Sequence, residues 1–367
     1  MTHADYLKKA FLLSTKAKAK RIRPNPFVGA LIVNEEGVII GKGYHKKLGG
    51  PHAEVYAIED ALSKYNDLSK CTIYVTLEPC SHFGKTPPCT DLIIKHKIKH
   101  VVIGSLDPNP LVSGAQILID NGVTVDEVFL PEIRSLNETF FINTTKQRPK
   151  FQLKIASTLN GKIADRFGNS KWLTNEKSRA FVHSVLRQNA DAILSTAHTI
   201  IKDNAGLNIR SHNKQPIELN AIIIDRKLNL LKEVHSTSAI FYPRTRSKIY
   251  LVTDDETAHT NKDSVEIIHV NFHNNKADLL ALSKILFLKG IFQVLVEAGG
   301  KLNSSLIEAN LIDELFLFIT PKIINDQNAI DAFNIDKEQT MDQIINMELQ
   351  KVEEFDQDIL LHYKNII

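Results

Sequence analysis

Three cysteines, three methionines and one tryptophan in 367 residues leave little with which to staple a fold covalently. The odd set Cys71, Cys80 and Cys89 excludes a disulfide framework and points to a reducing compartment, where thiolates are free for chemistry. No apolar run approaches the roughly 18 residues that a membrane helix needs. The opening Met1-Thr-His-Ala-Asp has no charged-then-apolar signal either, so a soluble, cytoplasmic chain with no membrane partner is expected. An excess of one charge is also missing. Lys+Arg 45 against Asp+Glu 42 leaves +3, nearly balanced both in the first 143 residues and in the remainder, which argues against a nucleic-acid partner. With 16 Gly and 13 Pro, collagen-like and low-complexity chains are excluded. Neither a fixed-period repeat, nor coiled-coil heptads, nor a complete G-x-G-x-x-G occurs.

What is present is enough apolar residue, 43%, and enough length for two domains with separate cores. Apolar positions Tyr6, Ala10, Leu13 and Ala17 predict a helix over Asp5–Lys20. An extended run Val28–Val33 turns at Gly37 into Val38–Ile40. A helix from His52 to Leu62, a strand Thr72–Leu77, a helix after Cys80 and a strand Val101–Gly104 follow. A polar seam at Asn143–Lys150 divides the chain into domains 1–146 and 147–367. Beyond it, strands are expected at Phe151–Ile155, Asp191–Ser195, Ala221–Asp225, Lys248–Thr253, Phe292–Glu297 and Glu314–Thr320. Helices are expected near Arg179–Gln188 and Ala277–Leu288, and a loop at Ser211–Pro216. Strands alternate with helices in both parts, so the class is α/β.

The most specific pattern is Pro51-His-Ala-Glu54 followed by Glu78-Pro-Cys80 and, eight residues later, Cys89. His52, Cys80 and Cys89 are an imidazole and two thiolates, the donor set Zn²⁺ favours, and three protein ligands leave one position for water. Glu54, two residues after His52, has the reach to take a proton from that water and return it to a leaving amine. His-x-Glu with a later Pro-Cys and a second Cys is the signature of zinc deaminases of amino-pyrimidines and purines. Two other readings stay open at this point: core cysteines beside a helix-capping histidine, and a closed structural zinc site with His82 as fourth ligand.

At these residues the sequence resembles the bifunctional riboflavin-biosynthesis deaminase/reductase family. The likeness is carried by Pro24-Asn-Pro26, Gly43-Tyr-His45, His52-Ala-Glu54, the stretch from Glu78 to Cys89, Asp107-Pro-Asn-Pro110, and Leu153-Lys-Ile-Ala156 through Glu297-Ala-Gly-Gly300. The resemblance implies a cytidine-deaminase-like α/β/α domain followed by a dihydrofolate-reductase-like α/β domain. It implies zinc-dependent removal of the C2 amine of 2,5-diamino-6-ribosylamino-4(3H)-pyrimidinone 5′-phosphate, then reduction of ribosyl to ribityl with NADPH. Residues matching Asn25, His45, His82, Lys85, Asp107 and Asn109 would line the deaminase pocket, and an ammonium such as Lys85 suits the substrate phosphate. The chain departs from the family pattern at Ser113-Gly-Ala-Gln116, where Gly-Lys-Gly or Gly-Arg-Gly is usual, at Leu159-Asn-Gly161, and at Asp203-Asn-Ala205.

In the second half, Phe292 through Asn303 reads as a buried strand, a glycine turn and a helix start, a place where backbone N–H groups can approach a phosphate. The resemblance places NADPH on Ala156, Trp172, Thr199, Asp203, Gly299, Gly300 and Lys301, and the substrate on Lys154, Ser170, Arg187, Leu207, Arg210 and Glu297. It also implies a homo-oligomer formed through the reductase domain. The rival reading is a nucleic-acid or nucleoside zinc deaminase with a non-catalytic C-terminal domain, which needs a basic groove that the balanced charge does not offer.

Overall fold

Thr2 starts the first helix, α1 (His3–Ser14): its hydroxyl accepts from Asp5 N while the Asp5 carboxylate accepts from Thr2 N, a reciprocal cap. The computed structural model describes residues 1–83, 87–211, 214–235, 237–241, 244–334 and 340–365. These form two compact units, Met1–Gln147 and Arg148–Ile367, so the division falls one residue after the expected one. Gln147 ends the preceding helix in the left-handed conformation, and Arg148 joins the hydrogen bonding of the second unit.

The first unit continues with α2 (Ala19–Ile22), β1 (Gly29–Val33), β2 (Ile39–Tyr44), α3 (Ala53–Leu62), β3 (Thr72–Val75), α4 (Cys89–Lys95), β4 (His100–Ile103), α5 (Gly114–Asp120), β5 (Thr124–Glu127), α6 (Pro131–Leu136) and α7 (Glu138–Lys146). The sheet runs β2-β1-β3-β4-β5, with β1 antiparallel to both its neighbours and β3, β4 and β5 parallel. Alternation sorts its side chains to two faces. Ala30, Ile32, Ile73, Val75, Val101 and Ile103 meet Ala57, Ile58, Ile93 and Leu118 of α3, α4 and α5. Leu31, Val33, Tyr74 and Val102 meet Tyr6, Leu7, Ala10 and Ile133 of α1 and α6. The result is three layers. Helix α3 lies very close to β2, because a Cβ on Gly43 would stand 2.1 Å from the Ala53 carbonyl oxygen.

The second unit is built on a nine-stranded sheet. In spatial order its strands are Val265–His269, Ile249–Thr253, Asn220–Ile224, Ala192–Thr196, Gln293–Val296, Lys150–Thr158, Glu314–Thr320, Asp358–Asn365 and Met347–Phe355. The first seven are parallel and the last two form an antiparallel hairpin on the edge. The central strands are mostly apolar, as strands covered on both faces tend to be, with Lys150, Gln152, Lys154, Gln293 and Glu314 among the polar exceptions. Leu194, Ile222, Val294 and Leu153 pack under the helices Leu279–Leu288 and Gly300–Glu308. Ile193, Ala221 and Ile223 pack under Ala197–Asp203. Helix Glu176–Phe181 widens into a π-turn, Val182–Arg187, whose Val182 and Leu186 lie on Leu295, Phe316 and Phe318.

Three local expectations are corrected. Helix α1 stops at Ser14 rather than Lys20, because the hydroxyls of Ser14 and Thr15 donate back to the carbonyls of Phe11 and Leu12 and end the ladder. The loop expected at Ser211–Pro216 includes parts of two strands, Ile209–Ser211 and Lys214–Ile217, that pair antiparallel. The hairpin of Met347–Phe355 and Asp358–Asn365 was not expected, since its outer strand is largely exposed and polar.

At the start of the second unit, the Arg148 guanidinium forks onto the Asp313 carboxylate at 2.7 and 2.8 Å, and Phe151 N donates to the same carboxylate at 2.8 Å. Both side chains are buried. Removing one member of such a pair strands a charge in a dry site. Asp313→Ala is expected to destabilise the second unit by about 3–5 kcal/mol, read as a lowered urea midpoint for that unit's transition.

Candidate active sites

His52 sits at the N-cap of α3, Glu54 in its first turn, and Cys89 opens α4. Cys80 follows β3 on the loop that leaves the C-terminal end of the parallel strands, where crevices form in α/β sheets. The His52 Nδ1 lies 3.5 Å from Cys80 Sγ and 3.4 Å from Cys89 Sγ, and Cys89 N donates to Cys80 Sγ at 3.3 Å. A tetrahedral ion with ordinary Zn–S and Zn–N bonds needs N···S edges of about 3.6 Å, so the imidazole nitrogen already stands at the right distance from each sulfur. With only protons between them, the Cys80 thiol is held down to about 4 by its hydrogen bond with Cys89 and by the His52 imidazole. Cys89 is pushed up by the same bond and by burial. His52 is raised to about 9 by its bond to Cys80. Cys89 is buried while Cys80 and His52 are partly exposed, and both thiols must give up their protons to take a cation.

Glu54 is 3% exposed, burial raises its carboxyl above the usual range, and its Oε2 has no hydrogen-bond partner. An orphaned acceptor in a dry pocket calls for a polar guest. The soft donor set and this orphan together fit a catalytic zinc with an open position, and not a closed structural one.

Asn25, His45, His82, Asp107 and Asn109 line the same cavity of about 260 Å³ as His52, Glu54 and Cys80. His45 Nδ1 donates to the Pro51 carbonyl at 3.0 Å, so its Nε2 accepts from Asn25 Nδ2 at 3.1 Å. Burial holds this imidazole below its ordinary range and therefore neutral. Lys85 lies outside the described residues. The sequence reading missed Phe140 and Thr144, which reach the cavity from α7, and Glu78. That carboxylate accepts from Asp107 N at 3.1 Å and from Ala115 N at 2.9 Å, so one buried side chain holds both the Asp107–Asn109 turn and the start of α5. The departure at Ser113–Gln116 belongs to this junction: Ser113 N donates to Ser81 Oγ at 3.0 Å, and a Cβ on Gly114 would stand 1.9 Å from the Pro79 carbonyl oxygen.

In the second unit a cavity of about 320 Å³ is lined by Lys154, Ala156, Ser170, Trp172, Thr199, Asp203, Glu297 and Gly299. Arg187, Leu207, Arg210, Gly300 and Lys301 are not on its wall. Arg187 lies behind it, with Nε and Nη2 on the Glu297 carboxylate at 2.7 and 2.8 Å and Nη1 on the Asn208 carbonyl at 2.6 Å. Burial works against the Glu297 charge, but Arg187 and Lys154 hold its carboxyl down to about 2. Lys154 is itself enclosed, and burial lowers its ammonium while Glu297 supports it. Arg210 N donates to His183 Nδ1 at 3.0 Å, and burial with Arg187 and Arg210 lowers His183 to about 4. His183, Arg179, His198 and Lys202 escaped the sequence reading, although His198 and Lys202 stand next to Thr199 and Asp203 on the helix Ala197–Asp203. Trp172 is 65% exposed, with the Arg179 guanidinium 4.6 Å from its ring centre. Asn160, the departure in Leu159-Asn-Gly161, ties its loop to Ile324 O at 2.9 Å. Asn204 closes its helix in the left-handed conformation.

Two family models match the chain: the cytidine and deoxycytidylate deaminase zinc-binding region over residues 1–105 and the RibD C-terminal domain over residues 149–361. The riboflavin biosynthesis protein RibD of Aquifex aeolicus is 38% identical over 367 residues, spanning 98% of each chain. That of Actinobacillus pleuropneumoniae is 38% identical, spanning 99% of this chain and 95% of its own. The crystal structure of a diaminohydroxyphosphoribosylaminopyrimidine deaminase/5-amino-6-(5-phosphoribosylamino)uracil reductase from Thermotoga maritima superposes with a TM-score of 0.83 at 36% identity, covering 99% of both chains. The expected fold class is borne out, and the rival deaminase with an inert second domain is not favoured. No helix among the described residues is long and apolar enough to cross a membrane.

Metal analysis of purified Cys80→Ser and Cys89→Ser proteins should show near-empty catalytic sites, against a filled site in the parent. Because the ligands must be deprotonated to bind, the parent should release its zinc as pH falls, read by a chromogenic chelator.

Proposed function

Because the chain belongs to the family of bifunctional riboflavin-biosynthesis deaminase/reductases, we propose that each of its two cavities performs one named half-reaction. In the first, His52, Cys80 and Cys89 hold Zn²⁺, and the C2 amine of 2,5-diamino-6-ribosylamino-4(3H)-pyrimidinone 5′-phosphate is lost as ammonia. A cation held there supplies Lewis acidity that lowers the pKa of a coordinated water towards about 7. Glu54 receives the proton at its unpartnered Oε2 and delivers it to the departing nitrogen, and burial favours the protonated carboxyl that this return step requires. Asn25, neutral His45, His82, Asp107 and Asn109 orient the pyrimidine, and Lys85 meets the phosphate. The observation that carries this reading is the orphaned Glu54 oxygen beside an imidazole correctly spaced from two thiols.

In the second cavity NADPH, the proposed nicotinamide cofactor, supplies hydride to the ribosyl carbon. Ala156, Trp172, Thr199, Asp203 and Gly299 hold it from the cavity wall, with Gly300 and Lys301 following at the helix start, while Lys154, Ser170 and Glu297 receive the sugar phosphate; Arg187 acts from behind through Glu297, and Leu207 and Arg210 stand off the wall. The Arg187–Glu297 fork fixes Glu297 so that Lys154 is held where an ammonium can bond a ribose hydroxyl. The work of this chain is positioning, since the hydride chemistry belongs to the cofactor. We also propose that the protein is cytoplasmic and assembles as a homo-oligomer through the reductase unit. Its outermost strand, Met347–Phe355, is long and edge-exposed, with Leu349 and Val352 about half exposed.

Glu54→Gln should keep its zinc and lose at least about 100-fold in ammonia release, while NADPH oxidation on the supplied deaminated intermediate stays at the parent rate. Unchanged ammonia release would assign the proton shuttle to another group.

Lys154→Ala should show the reverse, with ammonia released normally and the deaminated intermediate accumulating. Loss of both activities in each folded variant would overturn the division of labour.

A further inference from the structure

The first unit carries a second cluster of metal-binding side chains, remote from the catalytic pocket. His3, His100 and Asp126 each offer one donor atom, all within 4.8 Å of one another. The strand register explains the meeting. Thr72 pairs with His100 across β3 and β4, and Val102 pairs with Asp126 across β4 and β5. Thr72, Tyr74, His100 and Asp126 therefore share the sheet face on which α1 lies. His3 is the first residue of α1 and stands over the same spot.

Each imidazole has one nitrogen engaged from behind. His3 Nδ1 is 2.9 Å from the Tyr74 hydroxyl and His100 Nδ1 is 3.3 Å from the Thr72 hydroxyl. The other nitrogen of each ring faces one oxygen: His100 Nε2 lies 2.8 Å and His3 Nε2 3.9 Å from Asp126 Oδ2. The two rings meet edge to face at 5.5 Å. Hydroxyls on the rear nitrogens with front nitrogens converging beside a carboxylate is the outer-shell arrangement that orients histidines for a metal. Tetrahedral Zn–N and Zn–O bonds place donor atoms about 3.3 Å apart, and the separations of 2.8 and 3.9 Å bracket that value. Asp126 and His3 are each 45% exposed at the side chain, so an ion can enter directly from water. Two imidazoles and one carboxylate suit zinc and its borderline neighbours over calcium or magnesium.

We propose that His3, His100 and Asp126 form a second binding site for a divalent ion of the zinc class, which clamps the start of α1 to β4 and β5. The site lies at the starting ends of β3 and β4, whereas the catalytic pocket opens beyond their finishing ends. Its ion therefore stabilises the first unit by mass action and takes no part in deamination.

The test is a zinc count on full-length protein equilibrated with saturating Zn²⁺ and freed of excess, beside a Co²⁺ titration followed by absorbance. The parent should hold two equivalents. His3→Gln with Asp126→Asn should hold one, with at least ten-fold weaker binding of any second and with ammonia release unchanged. Cys80→Ser should lose the other equivalent, and with it the sulfur-to-cobalt charge-transfer absorption, which the double variant keeps in full. Added Zn²⁺ should raise the melting temperature of Cys80→Ser but not that of the triple variant. A single equivalent in the parent, or a second one bound unchanged by the double variant and by His3→Gln alone, would overturn the proposal.

Discussion

Two sulfur atoms and one imidazole nitrogen meet inside the first unit at separations of 3.3–3.5 Å, counting the backbone N–H that Cys89 gives to Cys80. Donors this close serve one ion only if the surrounding chain holds them to within about 0.5 Å. The small residues of β2 and α3 let the helix that begins after His52 lie against the strand. Glu78 clasps two backbone segments at once. Gly114 lets α5 press on the Pro79 carbonyl one residue before Cys80. Features that look like ordinary packing thus serve one geometric demand.

The second unit solves a different problem. Its site gathers a lysine, an arginine and a glutamate, of which only the arginine is buried. One carboxylate between two cations leaves the cluster positive, which suits a phosphorylated guest. The fork of Arg187 on Glu297 and its bond to the Asn208 carbonyl take three of the arginine's five N–H donors, so the arginine organises the cluster from behind while Lys154 and Glu297 line the cavity. Chemistry in the first unit depends on a Lewis acid, and in the second on alignment.

Much of this was legible before any coordinates, because the informative residues are rare types in fixed order. His52, Glu54, Cys80 and Cys89 name their chemistry by identity and spacing, and the apolar runs at Ala192, Ala221 and Val294 announce buried parallel strands. What stayed hidden depends on contacts distant in sequence or on weak patterning. Glu78 reads as part of the Pro-Cys motif, and only its bonds to residues 29 and 37 positions away reveal a clasp. Arg148 and Asp313 are 165 positions apart. His183 sits on an unremarkable helical stretch that happens to widen into a π-turn. The outer hairpin escaped because an exposed edge strand has no apolar alternation to betray it.

The single tryptophan has a consequence of its own. Trp172 lies on the wall of the second cavity, largely open to solvent and stacked under Arg179. No other indole exists in the chain, so its ultraviolet emission comes from one address. The protein thus carries a built-in optical label on its reductase half: a ring docking against that wall alters the light.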